Sequence, residues 1–332
     1  MTADIEHALA QCAGAAATIA NLKRLTGGAS LETWAYDEVS GRDVRPLILR
    51  RRRAGDGTVF ETSLPLATEA ALLALAAEAG VPVAKPIYGC DMLSELGEAY
   101  VMERVEGVTL GRKIVASEEF APARLVLGRQ CGAALARIHA ISTDRAPVLE
   151  RLDAAASLDR YEAIYRKGEH VRPVIEAAVA WLRDTIPAPV EPVLVHGDFR
   201  NGNLIVDPAC GLVAVLDWEL AHSGDPAEDL GWLCVNSWRF GETSLQVGGF
   251  APLDELFCGY EQAGGKAPSI ERIRWWQAMG TLKWATVTMM MYRTFASGES
   301  RSVERAVIGR RLSECEVDLL ALMDEDLKEQ AA

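Results

Sequence analysis

Histidine is scarce in this 332-residue chain: His7, His139, His170, His196 and His222 are the whole supply. Its seven cysteines are odd in number and form no CxxC pair. A zinc site therefore lacks its usual ligand spacing. A metallophosphoesterase would also need Asp-x-His and Gly-Asn-His elements, and neither occurs. No GxSxG nucleophile elbow is present, nor a GxxxxGK[ST] loop or a GxGxxG turn, which removes hydrolase, P-loop and dinucleotide-fold signatures. Long apolar runs are missing too: no stretch approaches 18 uncharged apolar residues, so no membrane span is expected. The first ten residues carry Asp4 and Glu6 and no basic segment, so no secretory signal is expected either. Positive charge is in deficit, with 34 Lys and Arg against 47 Asp and Glu and a net charge of −13. That balance argues against nucleic acid as a partner, because binding it needs a basic face. What remains is a globular mix, 49% hydrophobic and 24% charged. We expect a cytoplasmic protein with reduced thiols, monomeric or homodimeric.

The coarse pattern changes once along the chain. Leu31–Tyr36 and Pro46–Arg53 read as extended, with a Gly27-Gly28 turn before the first of them. Leu64–Ala79 has leucines at helical spacing, with Pro65 early and Gly80 just past the end. Tyr100-Val101-Met102 is a short strand running into a Glu106-Gly107 hinge. Beyond it Pro122–Ile141, Ser157–Lys167, Val174–Thr185 and most of 251–326 read as helices. Three short apolar runs between Val193 and Leu216 interrupt them. The expectation is an α+β fold of two lobes. A small antiparallel-sheet lobe with one main helix spans 1–104, and a larger, mostly helical lobe spans 105–332.

The chemistry concentrates in the interruption. His196-Gly-Asp-Phe-Arg-Asn-Gly-Asn203 lies between two short strands, and Asp217 ends a third, fourteen residues beyond Asn203. Turn geometry alone accounts for Gly202. Two aspartates and an asparagine on neighbouring strand ends can instead converge on one point. Oxygen-only ligands suit Mg²⁺, which binds through one or two carboxylates plus substrate phosphates. Asp198 is then placed to orient or deprotonate an attacking hydroxyl, which with charge neutralisation is most of what phosphoryl transfer requires.

This His-Gly-Asp-x4-Asn loop, followed by Leu216-Asp217-Trp218-Glu219, resembles the catalytic and metal loops of the aminoglycoside phosphotransferase and choline kinase superfamily, which has a protein-kinase-like fold. The longer run Val215–Cys234 resembles a bacterial branch related to the kinase-like domains fused to some acyl-CoA dehydrogenases. The resemblance implies an ATP- and Mg²⁺-dependent phosphotransferase acting on a small-molecule hydroxyl. It implies a catalytic loop at 196–203 and a metal loop at 216–219, with Asp198 as base and Asn203 and Asp217 as metal ligands. His196 would prop the loop and Asp229 would brace it. Asp225 would serve the site or cap a helix, and Glu219 would reach the metal's surroundings or solvent.

On the nucleotide side, Gly27, Gly28 and Ser30 would approach the phosphates, although two glycines alone also suit a hairpin turn. Side chains alternate along a strand, so Ile48, Arg50 and Arg52 share one face. Under the resemblance Ile48 roofs the adenine, Arg50 replaces the usual lysine on the phosphates, and Glu69 holds Arg50. The backbone of Glu103 and Val105 would meet the adenine edge. Arg51 and Arg53 read as solvated edge-strand charges, and Arg52 as a strand-end residue reaching water. Trp275, Trp276, Trp284, Met289–Met291 and Tyr292 fit a substrate pocket or plain core. The acceptor stays open between an aminoglycoside-type compound and a hydroxy acid or hydroxyacyl-CoA. The alternative to an enzyme is a nucleotide-binding pseudokinase, yet pseudokinases typically lose the base or a metal ligand and this chain keeps all three.

Overall fold

Alternating apolar residues along Trp34–Tyr36 and Leu47–Leu49 form the centre of a five-stranded antiparallel sheet in the computed structural model, which describes residues 2–25, 31–52, 63–168, 171–299 and 301–330. In chain order this lobe holds α1 (Thr2–Ala13), β1 (Thr18–Arg24), β2 (Glu32–Ser40), β3 (Asp43–Arg52), α2 (Leu66–Glu78), β4 (Pro86–Tyr88) and β5 (Glu98–Glu103). The strand order is β1-β2-β3-β5-β4. Period-two alternation divides β3 between two cores. Leu47 and Leu49 join Trp34, Tyr36 and Val101 against Ile5 and Leu9 of α1. Ile48 joins Ala35, Tyr100 and Met102 against Leu72, Leu73 and Ala76 of α2. Helix α1 is an addition to the expected single helix: it buries only Ile5, Ala8 and Leu9, too few for its sequence to announce it.

The second lobe is built from α3 (Gly111–Ala116), α4 (Ala121–His139), β6 (Arg151–Leu152), α5 (Ala154–Arg166), α6 (Pro173–Asp184), β7 (Val193–Val195), β8 (Leu204–Asp207), β9 (Gly211–Val215), β10 (His222–Gly224), α7 (Ala227–Leu233), α8 (Leu253–Gln262), α9 (Ile270–Ala296), α10 (Val303–Gly309) and α11 (Leu312–Gln330). Helix α9, 27 residues long, carries a serine cap: Ser269 Oγ accepts the Arg272 amide. The three runs of the interruption become β7 and the antiparallel hairpin β8–β9, with β7 joining β10 and β6 in a small sheet of order β6-β10-β7. Among the described residues no helix is long and apolar enough to cross a membrane.

The arginine run departs from expectation. Strand β3 has a neighbour on each side, so it is not an edge. Arg51 is largely buried and lies 3.5 Å from buried Glu32, while Arg52 pairs with Glu98 at 3.2 Å instead of reaching water. Arg53 lies outside the described residues. Just past the expected 104/105 boundary, Val108 is anchored to β8 of the second lobe by reciprocal 2.9 Å backbone bonds with Val206, and the two lobes meet nearby. The Val215 amide also donates to Pro82 O, and the Leu64 amide to Glu219 O, each at 2.8 Å. These junctions set β3 and α2 beside the loop that follows β7.

Candidate active site

The loop leaving β7 is held from below by one buried carboxylate. Asp229, in the first turn of α7, accepts the His196 amide at 2.8 Å and the Gly197 amide at 2.9 Å, and His139 Nε2 lies 3.1 Å away. Burial would raise the Asp229 pKa, but His139 and the His196 amide outweigh it and hold the carboxyl below its ordinary range. Gly197 has φ +78°, and a Cβ there would lie 2.4 Å from Leu220 O, so this turn requires glycine. His196 is fully buried, its ring 4.8 Å from that of Trp218. Its Nδ1 accepts the Asp198 amide at 3.2 Å, which leaves the proton on Nε2 to meet Leu216 O at 3.1 Å. Burial pushes its pKa down. A neutral ring bonded at both nitrogens is a prop.

That scaffold delivers Asp198 with both oxygens engaged. Asn203 Nδ2 donates to Oδ2 at 2.6 Å, while Trp232 Nε1 and Arg200 Nε donate to Oδ1 at 2.8 and 3.1 Å. Because Asn203 commits its nitrogen to Asp198, its carbonyl oxygen is the atom left to take a cation. Asp217, just past β9, has φ +66°, a left-handed conformation that costs a non-glycine residue about 1 kcal/mol or more. Such local strain clusters at functional sites. Asp217 Oδ1 lies 3.2 Å from Arg50 Nη2, and Arg50 Nη1 lies 2.5 Å from Glu69 Oε1. Tyr100 donates its hydroxyl to the same Glu69 oxygen at 3.0 Å. Strand β3, helix α2 and the β9 loop are thus tied into one chain, Glu69–Arg50–Asp217. Burial raises the Glu69 pKa against the pull of Arg50. Glu219 is pushed up to about 7, first by burial and then by the charge of Asp217. Among the described residues no cluster of three or more His, Cys, Asp and Glu is arranged to hold a metal. A hard cation taking Asp217, the Asn203 carbonyl, water and phosphate oxygens fits this donor set.

The other nucleotide candidates lie on the neighbouring strands. Ile48 is opposite Met102, and Leu47 is opposite Glu103. The Glu103 and Arg104 amides are committed to the carbonyls of Lys85 and Pro46, both at 3.0 Å. Gly27, Gly28 and Ser30 lie outside the described residues.

Of one side of the site, sequence reasoning singled out only Trp284. Trp232, Trp238 and Trp284 form a cluster, their rings inclined at 64° and 57° with centroids 5.1 and 4.9 Å apart. Arg200 lies 4.5 Å over Trp238, Arg311 6.0 Å from Trp284, and Lys283 4.6 Å over Trp232. The indole nitrogens of Trp238 and Trp284 are buried without a protein partner. Trp275 and Trp276 are core, donating to Leu182 O and Asp225 at 3.0 and 2.8 Å. Asp225 also accepts the Ala227 amide and pairs with Arg272, so its role is structural. A visible signal for Lys283 existed: it is the one charge in the stretch Trp275–Tyr292.

A family model described as a phosphotransferase enzyme family matches residues 21–269. The mouse (Mus musculus) acyl-CoA dehydrogenase family member 11 is 28% identical over 240 residues, which is 67% of this chain and 31% of that protein. The chain therefore spans about a third of that relative's length. A solved structure of a presumed aminoglycoside phosphotransferase from Ralstonia eutropha superposes with a TM-score of 0.73 at 21% identity, covering 98% of each chain. A spectinomycin phosphotransferase in complex with ADP and spectinomycin gives 0.64 at 13% identity, covering 92% of this chain and 94% of that one. At these identities the likeness is one of fold, and it is the two-lobed, kinase-like α+β fold expected from the sequence.

Proposed function

The chain belongs to the phosphotransferase enzyme family, and on that premise we propose that it moves the γ-phosphoryl group of ATP, with Mg²⁺, to a hydroxyl of a small molecule. One observation carries the reading: Asp198 and Asn203 share one loop, and Asn203 O accepts the Leu216 amide at 2.8 Å, beside the Asp217 that ends an Asp217–Arg50–Glu69 chain drawn from three other elements. Asp198 accepts the proton of the acceptor hydroxyl as its oxygen attacks phosphorus. Asn203 and Asp217 would hold the Mg²⁺, whose chemistry is to neutralise charge on the phosphates. Arg50 directs its guanidinium at the same phosphates and Glu69 fixes its aim. Ile48 covers the base, and the Glu103 carbonyl and Val105 amide meet its edge. Gly27, Gly28 and Ser30 remain the candidates for the phosphates by sequence. A boundary at 104/105 separates the nucleotide lobe from the catalytic one. The ADP of the spectinomycin enzyme supports the nucleotide assignment, and a cytoplasmic location suits both reactants.

The acceptor side favours one of the two classes left open. Arg200 and Arg311 both lie against the tryptophan cluster that begins at Asp198. Cations on aromatic faces suit an anionic acceptor with an apolar stretch, and they repel a polyamine. A hydroxy acid or hydroxyacyl-CoA is therefore preferred to an aminoglycoside.

The test is ATP consumption across aminoglycosides, choline-like amines, hydroxy acids and CoA esters. Asp198→Asn should keep Mg-ATP affinity within a few-fold and lower kcat by about a hundredfold, the size of a positioned acid or base. Asp217→Ala should lose Mg²⁺-dependent ATP binding itself. An active Asp198→Asn protein, or unchanged Mg-ATP binding by Asp217→Ala, would refute the assignment.

A further inference from the structure

A buried lysine stands behind the candidate base and is committed to the loop that carries it. Lys283, midway along α9, donates Nζ to Gly197 O at 2.7 Å, whereas Glu228 Oε1 is 3.9 Å away. Glu228 already has a closer partner, His222 Nε2 at 3.0 Å. The lysine's first engagement is thus the loop carbonyl, and neutralising Glu228 is secondary. Burial works against its charge, but Tyr161, Glu228, Asp198 and Asp229 together hold its pKa above the ordinary lysine value. Burying an ammonium is costly, and an apolar side chain would pack α9 against the loop at less cost. A charge retained there calls for an electrostatic role.

The peptide unit between Gly197 and Asp198 shows what that role is. Its carbonyl is held by Lys283 and its amide by His196 Nδ1. The preceding Gly197 amide is held by Asp229. The same ammonium lies 4.6 Å from the centroid of the Trp232 ring, whose Nε1 donates to Asp198 Oδ1 at 2.8 Å. Lys283 therefore reaches Asp198 by two routes, through the backbone and through the indole. A cation over the ring face polarises the indole N–H and strengthens its bond to the carboxylate.

We propose that Lys283 is a positioning residue for phosphoryl transfer, its ammonium fixing the orientation of Asp198 through Gly197 O and Trp232. This rests on the phosphotransferase reading above. The experiment measures phosphate release from Mg-ATP with water as acceptor, together with Mg-ATP affinity by calorimetry and thermal stability. Lys283→Met should leave affinity within about twofold and slow release by about ten- to a hundredfold, the cost of misplacing a reacting group by a fraction of an ångström to an ångström. Lys283→Ala should be slowed likewise, and ethylammonium should restore it several-fold where propanol, of similar size and uncharged, does not. Equal rescue by propanol would reduce the residue to packing and overturn the proposal, as would a wild-type rate in Lys283→Met beside an inactive Asp198→Asn. An Asp198→Asn protein as fast as wild type would instead defeat the phosphotransferase reading on which the proposal stands.

Discussion

Cutting the Arg50–Glu69 pair from either side should give unequal losses, and the inequality follows from the partners each keeps. The Glu69 side chain has no exposure, while Arg50 is 14% exposed and has a second carboxylate, Asp217, at 3.2 Å. Arg50→Met leaves Glu69 with the Tyr100 hydroxyl and no cation; Glu69→Gln leaves Arg50 with Asp217. Removing one partner of a buried pair costs about 3–5 kcal/mol. Arg50→Met should fall in that range and Glu69→Gln at about 1.5–3 kcal/mol, the scale of a charged hydrogen bond. The arginine variant has an escape. Burial already raises the Glu69 pKa above 4.5, and without Arg50 it rises further. A carboxyl whose folded pKa lies above its unfolded value gains stability as pH falls, so the penalty should shrink between about pH 8 and pH 5. Urea unfolding at the two pH values measures this. The double variant Arg50→Met/Glu69→Leu should recover part of the loss, with a coupling of about 0.5–3 kcal/mol. In Mg-ATP binding Arg50→Lys should retain measurable affinity, Arg50→Ala little. Arg52→Ala removes a pair whose Glu98 partner is half-exposed and screened by solvent, worth about 1 kcal/mol or less. Additive single effects, or a larger loss at Arg52 than at Arg50, would refute the reasoning.

Asp229→Asn forfeits a carboxylate that accepts two loop amides and should cost about 3 kcal/mol. The Asp229 pKa is held below 3.8, so its contribution is complete above that value and lost as pH falls; the stability gap between wild type and variant should close on acidification. A gap that persists in acid would deny the carboxylate its role. Trp232→Phe keeps the edge-on aromatic contact with Trp238 but removes the donor to Asp198 Oδ1. It should lower kcat about tenfold with Mg-ATP affinity unchanged, and a fall in affinity instead would place Trp232 on the nucleotide side. Gly197→Ala meets Leu220 O at 2.4 Å with φ at +78° and should cost about 2 kcal/mol or more in urea unfolding. A neutral outcome there would mean the loop can shift.

What was readable in the chain was whatever rests on short-range order. The alternation of Leu47, Ile48 and Leu49 sorted β3 between two cores, and the same period placed Arg50 on the Ile48 face, where Glu69 meets it. The Asp198–Asn203 contact closes within six residues of one loop. Arg51 shows where that logic stops. Its surroundings depend on which strands flank β3, and buried Glu32 on β2 makes it a paired charge instead of a solvated one. Trp232 and Lys283 lay further out of reach. Trp232 sits 34 residues from Asp198 and Lys283 lies 86 residues from Gly197. A helical stretch with one lysine has the same periodicity whether that lysine snorkels to water or turns inward. Only tertiary packing separates the two, because the inward choice becomes affordable when a carbonyl, a carboxylate and an aromatic face converge on the ammonium. The parts of the site least visible in the sequence are therefore those that act on Asp198 from behind. A lone charge in an otherwise uncharged stretch of a long helix, Trp275–Tyr292, is the trace they leave.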